Sequence, residues 1–298
     1  MSMRTFWIAC ALASAPVLAG GCTVITSSDD FEERQPALSC GNDLETSVVD
    51  MRLDLTDMNA HEDNLVQADL VEVGPLARRQ VGRVVYDPLG AANLTLALPC
   101  AVADGNHDVD LVADLTNDRM FEECVLVAGD PIPSCADHQW RLRLQADGTL
   151  AYQHDTDFTD VVADPAMPRG ALPLRAVFAN VDAYAGMMME MRVRVLESDG
   201  TAQETIFVYR RQEIPPATTP LMIEPVPNLV MRNERFKIAI WIDTNMNGEY
   251  DPPSAGRTDR DFATIIDGLA DAPGPVDPGG LRIVLDANAL PPETDVRF

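Results

Sequence analysis

The sequence is short of basic and of aromatic residues, and each shortage argues against one class of binding partner. Lys237 is the only lysine among 298 residues, and 22 Lys and Arg face 47 Asp and Glu, which leaves a formal net charge of −25. So acidic a surface repels phosphate backbones and argues against nucleic-acid binding. Phe, Trp and Tyr make up 6% of the chain, which gives little support to a carbohydrate-binding surface.

Several motifs that mark catalytic or metal sites are also missing. The sequence has no Cys-x-x-Cys spacing, no His-Glu-x-x-His and no nucleophile motif. After residue 22 no segment is long and apolar enough to cross a bilayer. We therefore predict no catalytic residue and no membrane span in the body of the protein.

The N-terminus reads as an export signal. A short basic start precedes an apolar run over Thr5–Leu18, and Leu18-Ala-Gly-Gly-Cys22 follows. This stretch resembles the lipobox of bacterial lipoproteins. The resemblance implies a signal peptide over 1–21 and lipidation of Cys22 as a membrane anchor. In such lipoproteins an Asp directly after the cysteine favours retention in the inner membrane, so Thr23 at this position implies an outer-membrane location. An ordinary secretory signal is the alternative, and it would leave a soluble periplasmic or secreted protein.

Besides Cys22, the mature chain keeps four cysteines, and in an oxidising compartment this even number predicts two disulfides with three possible connectivities. Cys124 and Cys135 flank a segment rich in Gly and Pro, so we expect them to close that loop. Cys40 and Cys100 would then form the Cys40–Cys100 pair and tie the entry of the domain to a core strand.

Alternating apolar residues predict an all-β protein whose pattern occurs twice. Val49–Leu55 alternates strictly, as a half-buried strand does, and the pattern restarts at Leu174–Val181. Several sequence features, among them strand patterns and an acidic loop, recur in the same order at offsets of 122 to 129 residues, which indicates internal duplication. Each copy spans about 120 residues with seven or so short strands, as in a β-sandwich. We predict two tandem immunoglobulin-like/transthyretin-like β-sandwich domains; a barrel is the alternative.

Composition sets the boundaries of the predicted segments. The divisions are a lipoprotein signal peptide over 1–21, a tether over 22–43, domain 1 over 44–162, a linker over 163–172 and domain 2 over 173–298.

A hairpin is predicted in domain 1. Asp147-Gly148 lies between two alternating runs, which is a strong hairpin signal. This hairpin would place Trp140, Leu142 and Leu144 on the core face and His138 opposite Asp157.

An acidic loop follows the apolar strand that ends near Ile242. Oxygen-bearing side chains occupy its positions 1, 3, 5, 7 and 9 and glycine its position 6: Asp243, Asn245, Asn247, Glu249, Asp251 and Gly248. Hard cations such as Ca²⁺ take six to eight oxygen ligands, and this spacing resembles an EF-hand loop. We predict a structural Ca²⁺ there, with Asp259 or Asp261 completing the shell. A solvated Asn-Gly turn is the alternative.

A second, weaker copy of this loop lies in domain 1. Its candidate ligands are Asp114, Thr116, Asp118 and Asp137, but Arg119 stands where the glycine should be. We expect weak ion binding there or none.

All four histidines lie in domain 1, at positions 61, 107, 138 and 154. Asp137, His138 and His154 invite interpretation as a metal-dependent hydrolase. The other interpretation is a His138–Asp157 pair and an exposed His154 that pin the end of the sheet. We favour the second interpretation because no recognised motif accompanies these residues.

The whole pattern is similar to uncharacterised secreted lipoproteins of the myxobacterial type. The shared elements are the lipobox, Asp-x-Asn-x-Asn-Gly-x-Tyr-Asp-Pro-Pro at 243–253, Asp-His-x-Trp-Arg at 137–141 and His-x-x-x-Phe-Thr-Asp at 154–160. The resemblance implies a surface location and a sandwich fold but no reaction.

Our leading hypothesis is a non-enzymatic, lipid-anchored envelope protein whose domains are stabilised by Ca²⁺. The alternatives are a carbohydrate- or protein-binding module, whose partner the sequence does not identify, and a metal-dependent hydrolase.

Overall fold

The computed structural model describes residues 48–119, 122, 135–154, 166–196, 202–216, 221–251, 261–269 and 281–286. The predicted signal peptide, the tether and Cys22 lie outside these residues, as do Cys40 and Cys124, so lipidation and disulfide connectivity stay predictions. In the described part of the chain, no helix has the length and apolarity needed to span a bilayer.

The described residues form short strands and two 3₁₀ turns, which confirms the all-β fold class. The 3₁₀ turns are Asn59–His61 and Asp182–Tyr184. The strands of the first copy are β1 Val49–Thr56, β2 Leu65–Val73, β3 Arg78–Asp87, β4 Leu94–Val102, β5 His107–Asp114, β6 His138–Arg143 and β7 Thr149–Gln153. Those of the second copy are β8 Leu172–Ala179, β9 Met188–Leu196, β10 Ala202–Arg211, β11 Leu221–Val230, β12 Arg235–Asp243, β13 Phe262–Leu269 and β14 Leu281–Asp286.

The two copies pair their strands in the same way. In the first copy β1 lies between β4, antiparallel, and β7, parallel; in the second, β8 lies between β11, antiparallel, and β14, parallel. The remaining strands form one sheet in the order β13-β12-β9-β10-β3-β2-β5-β6. An immunoglobulin constant domain places its first, second, fifth and fourth strands in one sheet. The strand order of this protein differs from that one.

The copies join edge to edge through β3 and β10, which pair in parallel with Val84 opposite Val208 and Val85 opposite Tyr209. Val84 and Val208 pack into the core of the first copy, whereas Val85 and Tyr209 pack into the core of the second. Successive residues of a strand point to opposite faces. The two three-stranded sheets therefore cover opposite faces of the shared eight-stranded sheet.

The predicted linker also takes part in this junction. β10 pairs with β3 only from Arg83 onward. At the other end of β3, Met167 donates its amide to the carbonyl oxygen of Arg78, 2.8 Å away, and accepts from the amide of Gln80, 2.8 Å away. Residues 39–298 form one compact unit. The domain boundary at 163–172 stays a prediction, but the copies share a sheet across it.

The predicted hairpin between β6 and β7 is wrong, although its core face is right. β6 pairs with β5 in the large sheet, and β7 pairs with β1 in the small one, so the Asp147-Gly148 turn carries the chain between sheets. Trp140 and Leu144 are buried in the core, and Leu142 packs against them. A turn signal fixes a change of direction but not the strand that each arm pairs with, which is decided by contacts far away in sequence.

This crossing turn gives a stability test. Gly148 has φ of 79°, and a Cβ there would lie 2.2 Å from the backbone oxygen of Asp50. Gly186 has φ of 81° with open space around it. The left-handed conformation costs a non-glycine residue about 1–2 kcal/mol. We expect Gly186→Ala to lose about that much and Gly148→Ala clearly more, because the backbone must also shift.

The measurement is urea unfolding of both variants beside the parent chain. Equal losses in the two variants would contradict the close approach of Gly148 to β1.

Candidate metal centre

The acidic loop of the second copy is built around a buried carboxylate. Asp243 is 2% exposed. It accepts hydrogen bonds from the backbone amides of Asn247, at 3.2 Å, and Gly248, at 2.8 Å. Gly248 has φ of 79°, as the predicted sharp turn requires. Asp243 therefore shapes the loop by accepting backbone hydrogen bonds.

The other predicted ligands of this loop bond mainly to one another. Asp251 accepts from the side-chain amides of Asn245, at 2.7 Å, and Asn247, at 2.8 Å. Asp261 accepts a hydrogen bond from the backbone amide of Asp251 at 2.8 Å, so residue 261 lies beside the loop again. Glu249 is exposed, and Asp259 lies outside the described residues. These bonds are what a self-contained polar turn makes, and the predicted calcium stays a prediction.

The first copy repeats the same loop without the glycine. Asp114 accepts from the amides of Asn117, at 2.7 Å, and Arg119, at 2.8 Å, and also from the hydroxyl of Thr116, at 3.2 Å. Arg119 has φ of 63°, so it adopts at this position the left-handed conformation of Gly248.

Asp137, the distant member of this predicted site, is equally occupied. Its two oxygens accept from the backbone amides of Leu115, at 3.0 Å, and Glu122, at 2.9 Å. Asp118 lies within the loop and is exposed.

Three histidines converge at one end of the first copy. His61, His138 and His154 each offer one ring nitrogen, and these atoms all lie within 4.8 Å of one another. Nε2 of His61 lies 3.0 Å from Nε2 of His154 and 3.4 Å from Nδ1 of His138. Two nitrogens bound to one zinc ion at 2.0–2.1 Å in tetrahedral geometry are about 3.3 Å apart. The two separations from Nε2 of His61 are close to this value, which makes the three rings a candidate metal site.

Both sheets contribute to this cluster. β1 and β7 are parallel neighbours, so the residues that follow them emerge together; His61 lies in the 3₁₀ turn after β1, and His154 comes directly after β7. His138 begins β6 in the large sheet, opposite Ala113 near the end of β5. An ion held by all three rings would therefore tie the two sheets of the first copy together.

The cluster rests on a buried aromatic wall. Trp140 is 1% exposed, and its ring centroid lies 5.7 Å from that of His61, 5.6 Å from that of His138 and 5.8 Å from that of His154. Tyr152 packs on Trp140 at 5.7 Å. His61 itself is fully buried, while the other two histidines are half-buried. Buried aromatic side chains therefore line one side of the cluster.

Burial keeps His61 in its neutral form. Burial first, and the neighbouring His154 second, lower the pKa of His61 to about 4. Neutral imidazole is the form that binds metal ions. At neutral pH the His61 ring is therefore ready to coordinate without losing a proton from a charged state.

The second copy shows that the fold does not need histidines here. Tyr184 ends the second 3₁₀ turn as His61 ends the first, and Phe262 begins β13 as His138 begins β6. The Tyr184 and Phe262 rings lie 5.5 Å apart, and the His61 and His138 rings 5.2 Å apart. Because carbon rings fill the same place, the buried imidazoles of the first copy are an exception to local packing, and such exceptions concentrate at functional sites.

The sequence pattern drew attention to two of the three histidines, His138 and His154, but favoured a structural role for them. The predicted His138–Asp157 pair stays a prediction, because Asp157 lies outside the described residues; within them, His138 contacts His61. His61 was missed since it has no motif spacing to the others. The internal duplication carried a usable signal: aligning the copies places His61 on Tyr184 and His138 on Phe262. Asp137, the third residue of the hydrolase interpretation, is engaged elsewhere.

Comparison with known proteins adds no family. No protein-family model and no curated protein matches the sequence. A candidate cell adhesion protein from Parabacteroides distasonis ATCC 8503 is 8% identical, with 82% of this chain and 90% of that chain covered, at a TM-score of 0.19. The tip fimbrial protein Mfa3 from Porphyromonas gingivalis, with a C-terminal truncation, is 10% identical, with 77% and 85% covered, at a TM-score of 0.20. TM-scores this low carry no argument about this chain.

The loop of the second copy provides a test for calcium. If Ca²⁺ binds there, added calcium should raise the melting temperature, and Asp251→Asn should reduce that rise by removing a charged ligand. Thermal unfolding in calcium and in EDTA measures both effects. A melting temperature that changes with neither calcium nor EDTA would rule out a structural calcium ion.

The lowered pKa of His61 predicts a pH effect in metal-free protein. A folded pKa of about 4, against an ordinary histidine pKa of 6.5, means that the unfolded chain binds the extra proton first as the pH falls. Stability is therefore present above pH 6.5 and is lost as the pH falls towards 4, by about 3 kcal/mol for this shift.

His61→Tyr copies the residue of the second copy and supplies the control. The free energy of unfolding, measured with urea at several pH values between 7 and 4, should fall less steeply for His61→Tyr than for the parent chain. Parallel curves would show that His61 titrates normally.

Proposed function

We propose that the protein is an exported, non-enzymatic envelope protein that binds a divalent transition-metal ion through His61, His138 and His154. The observation that carries this proposal is the convergence of three ring nitrogens within 4.8 Å. A packing role for these residues is met by Tyr184 and Phe262 in the second copy without any titratable nitrogen.

The donor set favours a borderline cation. Imidazole suits Zn²⁺, Cu²⁺ and Ni²⁺, whereas Ca²⁺ and Mg²⁺ prefer oxygen. The ring nitrogens of His154 and His138 lie 3.0 Å and 3.4 Å from Nε2 of His61, close to the separation expected around a small ion with short metal–nitrogen bonds. We take Zn²⁺ as the representative ion.

The ion would act mainly by holding the two sheets of the first copy together. His61 and His154 follow strands of the small sheet, and His138 begins a strand of the large one. Because the unfolded chain does not preform such a site, metal affinity adds to the free energy of unfolding.

A hydrolytic role has less support. Three histidines with an open fourth position also occur in catalytic zinc sites, where the ion activates water. The base that the sequence offered is Asp137, whose oxygens accept from the Leu115 and Glu122 amides. Without a free carboxylate at that position, a binding role fits the geometry better.

A glycan-binding surface has no support from the described residues either. Their exposed large apolar side chains are Leu76, Leu115, Met167 and Met246, none of which is aromatic. The export signal, the anchor at Cys22, the outer-membrane location and the calcium loop remain part of this proposal on the sequence motifs alone.

Metal binding is tested with the purified protein and ZnCl₂. Calorimetric titration should show one site, and zinc at about 100 times the dissociation constant should stabilise the fold by about 2.7 kcal/mol. The double variant His61→Tyr/His138→Phe, which installs the rings of the second copy, should fold and lose both effects.

The matched control is Tyr184→Phe, a change at the equivalent place of the second copy, which should leave zinc binding intact. Equal zinc affinity in the double variant and the parent chain would refute the histidine site.

A further inference from the structure

A buried amide connects the histidine cluster to the first acidic loop. Asn64 is 8% exposed. Its Oδ1 lies 3.4 Å from Nδ1 of His61, and its Nδ2 donates to Oδ1 of Asn117 at 3.2 Å. The Asn117 backbone amide in turn donates to Asp114 at 2.7 Å. Asn64 and Asn117 therefore link His61 to the loop carboxylate through a path of polar contacts.

The direction of this path favours one tautomer of His61. Because the NH₂ of Asn64 faces the carbonyl oxygen of Asn117, its own carbonyl oxygen faces His61. A carbonyl oxygen only accepts, so this contact is a hydrogen bond when Nδ1 of His61 carries the hydrogen. The lone pair of the ring is then on Nε2, the atom that faces His154 and His138.

We propose that Asn64 is a positioning residue of the metal centre: it holds His61 as the Nδ1–H tautomer with Nε2 towards the ion and links the ion to the loop 114–119. The role of the ion rests on the function proposed above, whereas the tautomer does not. Hydrogen bonds from a ligating histidine to an outer partner orient the ring and raise its basicity, and their loss costs 10- to 100-fold in metal affinity.

The second copy supports a specific role for this amide. The backbone amide of Asn64 donates to the backbone carbonyl oxygen of His61 at 3.0 Å. The backbone amide of Met187 donates to that of Tyr184 at 3.1 Å, so Asn64 and Met187 occupy equivalent places in the two copies. Asn117 has φ of 57°, as does Met246, which takes the same place in the second loop.

Both asparagines of the path are therefore methionines where the histidines are absent. The turn and the loop of the second copy fold without either side-chain amide. The two asparagines therefore occur together with the histidines and are not required by the backbone conformation.

The test uses the full chain with Asn64→Met, which installs the residue of the second copy, and Asn64→Asp, which keeps an oxygen acceptor for Nδ1. Nitrogen-15 chemical shifts of the His61 ring, recorded without metal in EDTA, report the tautomer. We expect Nδ1–H in the parent chain and in Asn64→Asp, and a mixture or Nε2–H in Asn64→Met.

Zinc titration gives the second readout. Asn64→Met should weaken zinc binding by about 10- to 100-fold, and Asn64→Asp should restore it. The control is Asn59→Met, the same change at an exposed position of the same turn, which should alter neither the tautomer nor the affinity.

The results separate this inference from the proposed function. Failure of the parent chain to bind zinc, with the expected change of tautomer in Asn64→Met, would refute the metal centre and leave only the control of the His61 tautomer by Asn64. An Asn64→Met protein that keeps the Nδ1–H tautomer and the parent affinity would overturn the proposal, even if its melting temperature falls.

Discussion

The parallel pairing of β3 with β10 is the constraint on which the rest of the structure depends. Equivalent strands of the two copies lie side by side, with Val84 opposite Val208. Parallel pairing of equivalent strands relates the copies by an approximate twofold axis along the strands, and such an axis exchanges the two faces of the sheet. The small sheets must then cover opposite faces, and β3 and β10 must be apolar on both.

The same pairing explains a divergence between the copies. Asp87 and Arg211 are partners in the β3–β10 register, so identical residues at this position would have placed like charges next to each other. Asp87 instead accepts from the Arg211 guanidinium and from the hydroxyl of Tyr209, at 3.0 Å. Opposite charges across the junction are compatible with burial, because each satisfies the other.

The ends of the two sandwiches show the same frame used for different chemistry. In both copies a 3₁₀ turn and the first residue of a large-sheet strand bring two flat rings within 5.2–5.5 Å. The second copy fills this place with Tyr184 and Phe262 and gains apolar contacts. The first copy uses imidazoles, adds His154 and surrounds them with Trp140 and Asn64. It gives up apolar packing and gains a set of converging nitrogen atoms.

What the sequence determined by itself was local or periodic. Alternation of apolar residues indicated strands, the recurrence at offsets of 122 to 129 indicated duplication, and Gly248 indicated a left-handed turn. The run Ile206-Phe-Val-Tyr209, apolar at every position, already carried the signal of a strand buried on both faces. Only the tertiary structure decided which strands pair and which side chains meet. It placed β6 and β7 in different sheets and brought His61 to His138 and His154, because strand pairing depends on burying two cores at once and not on the turn between neighbours in sequence.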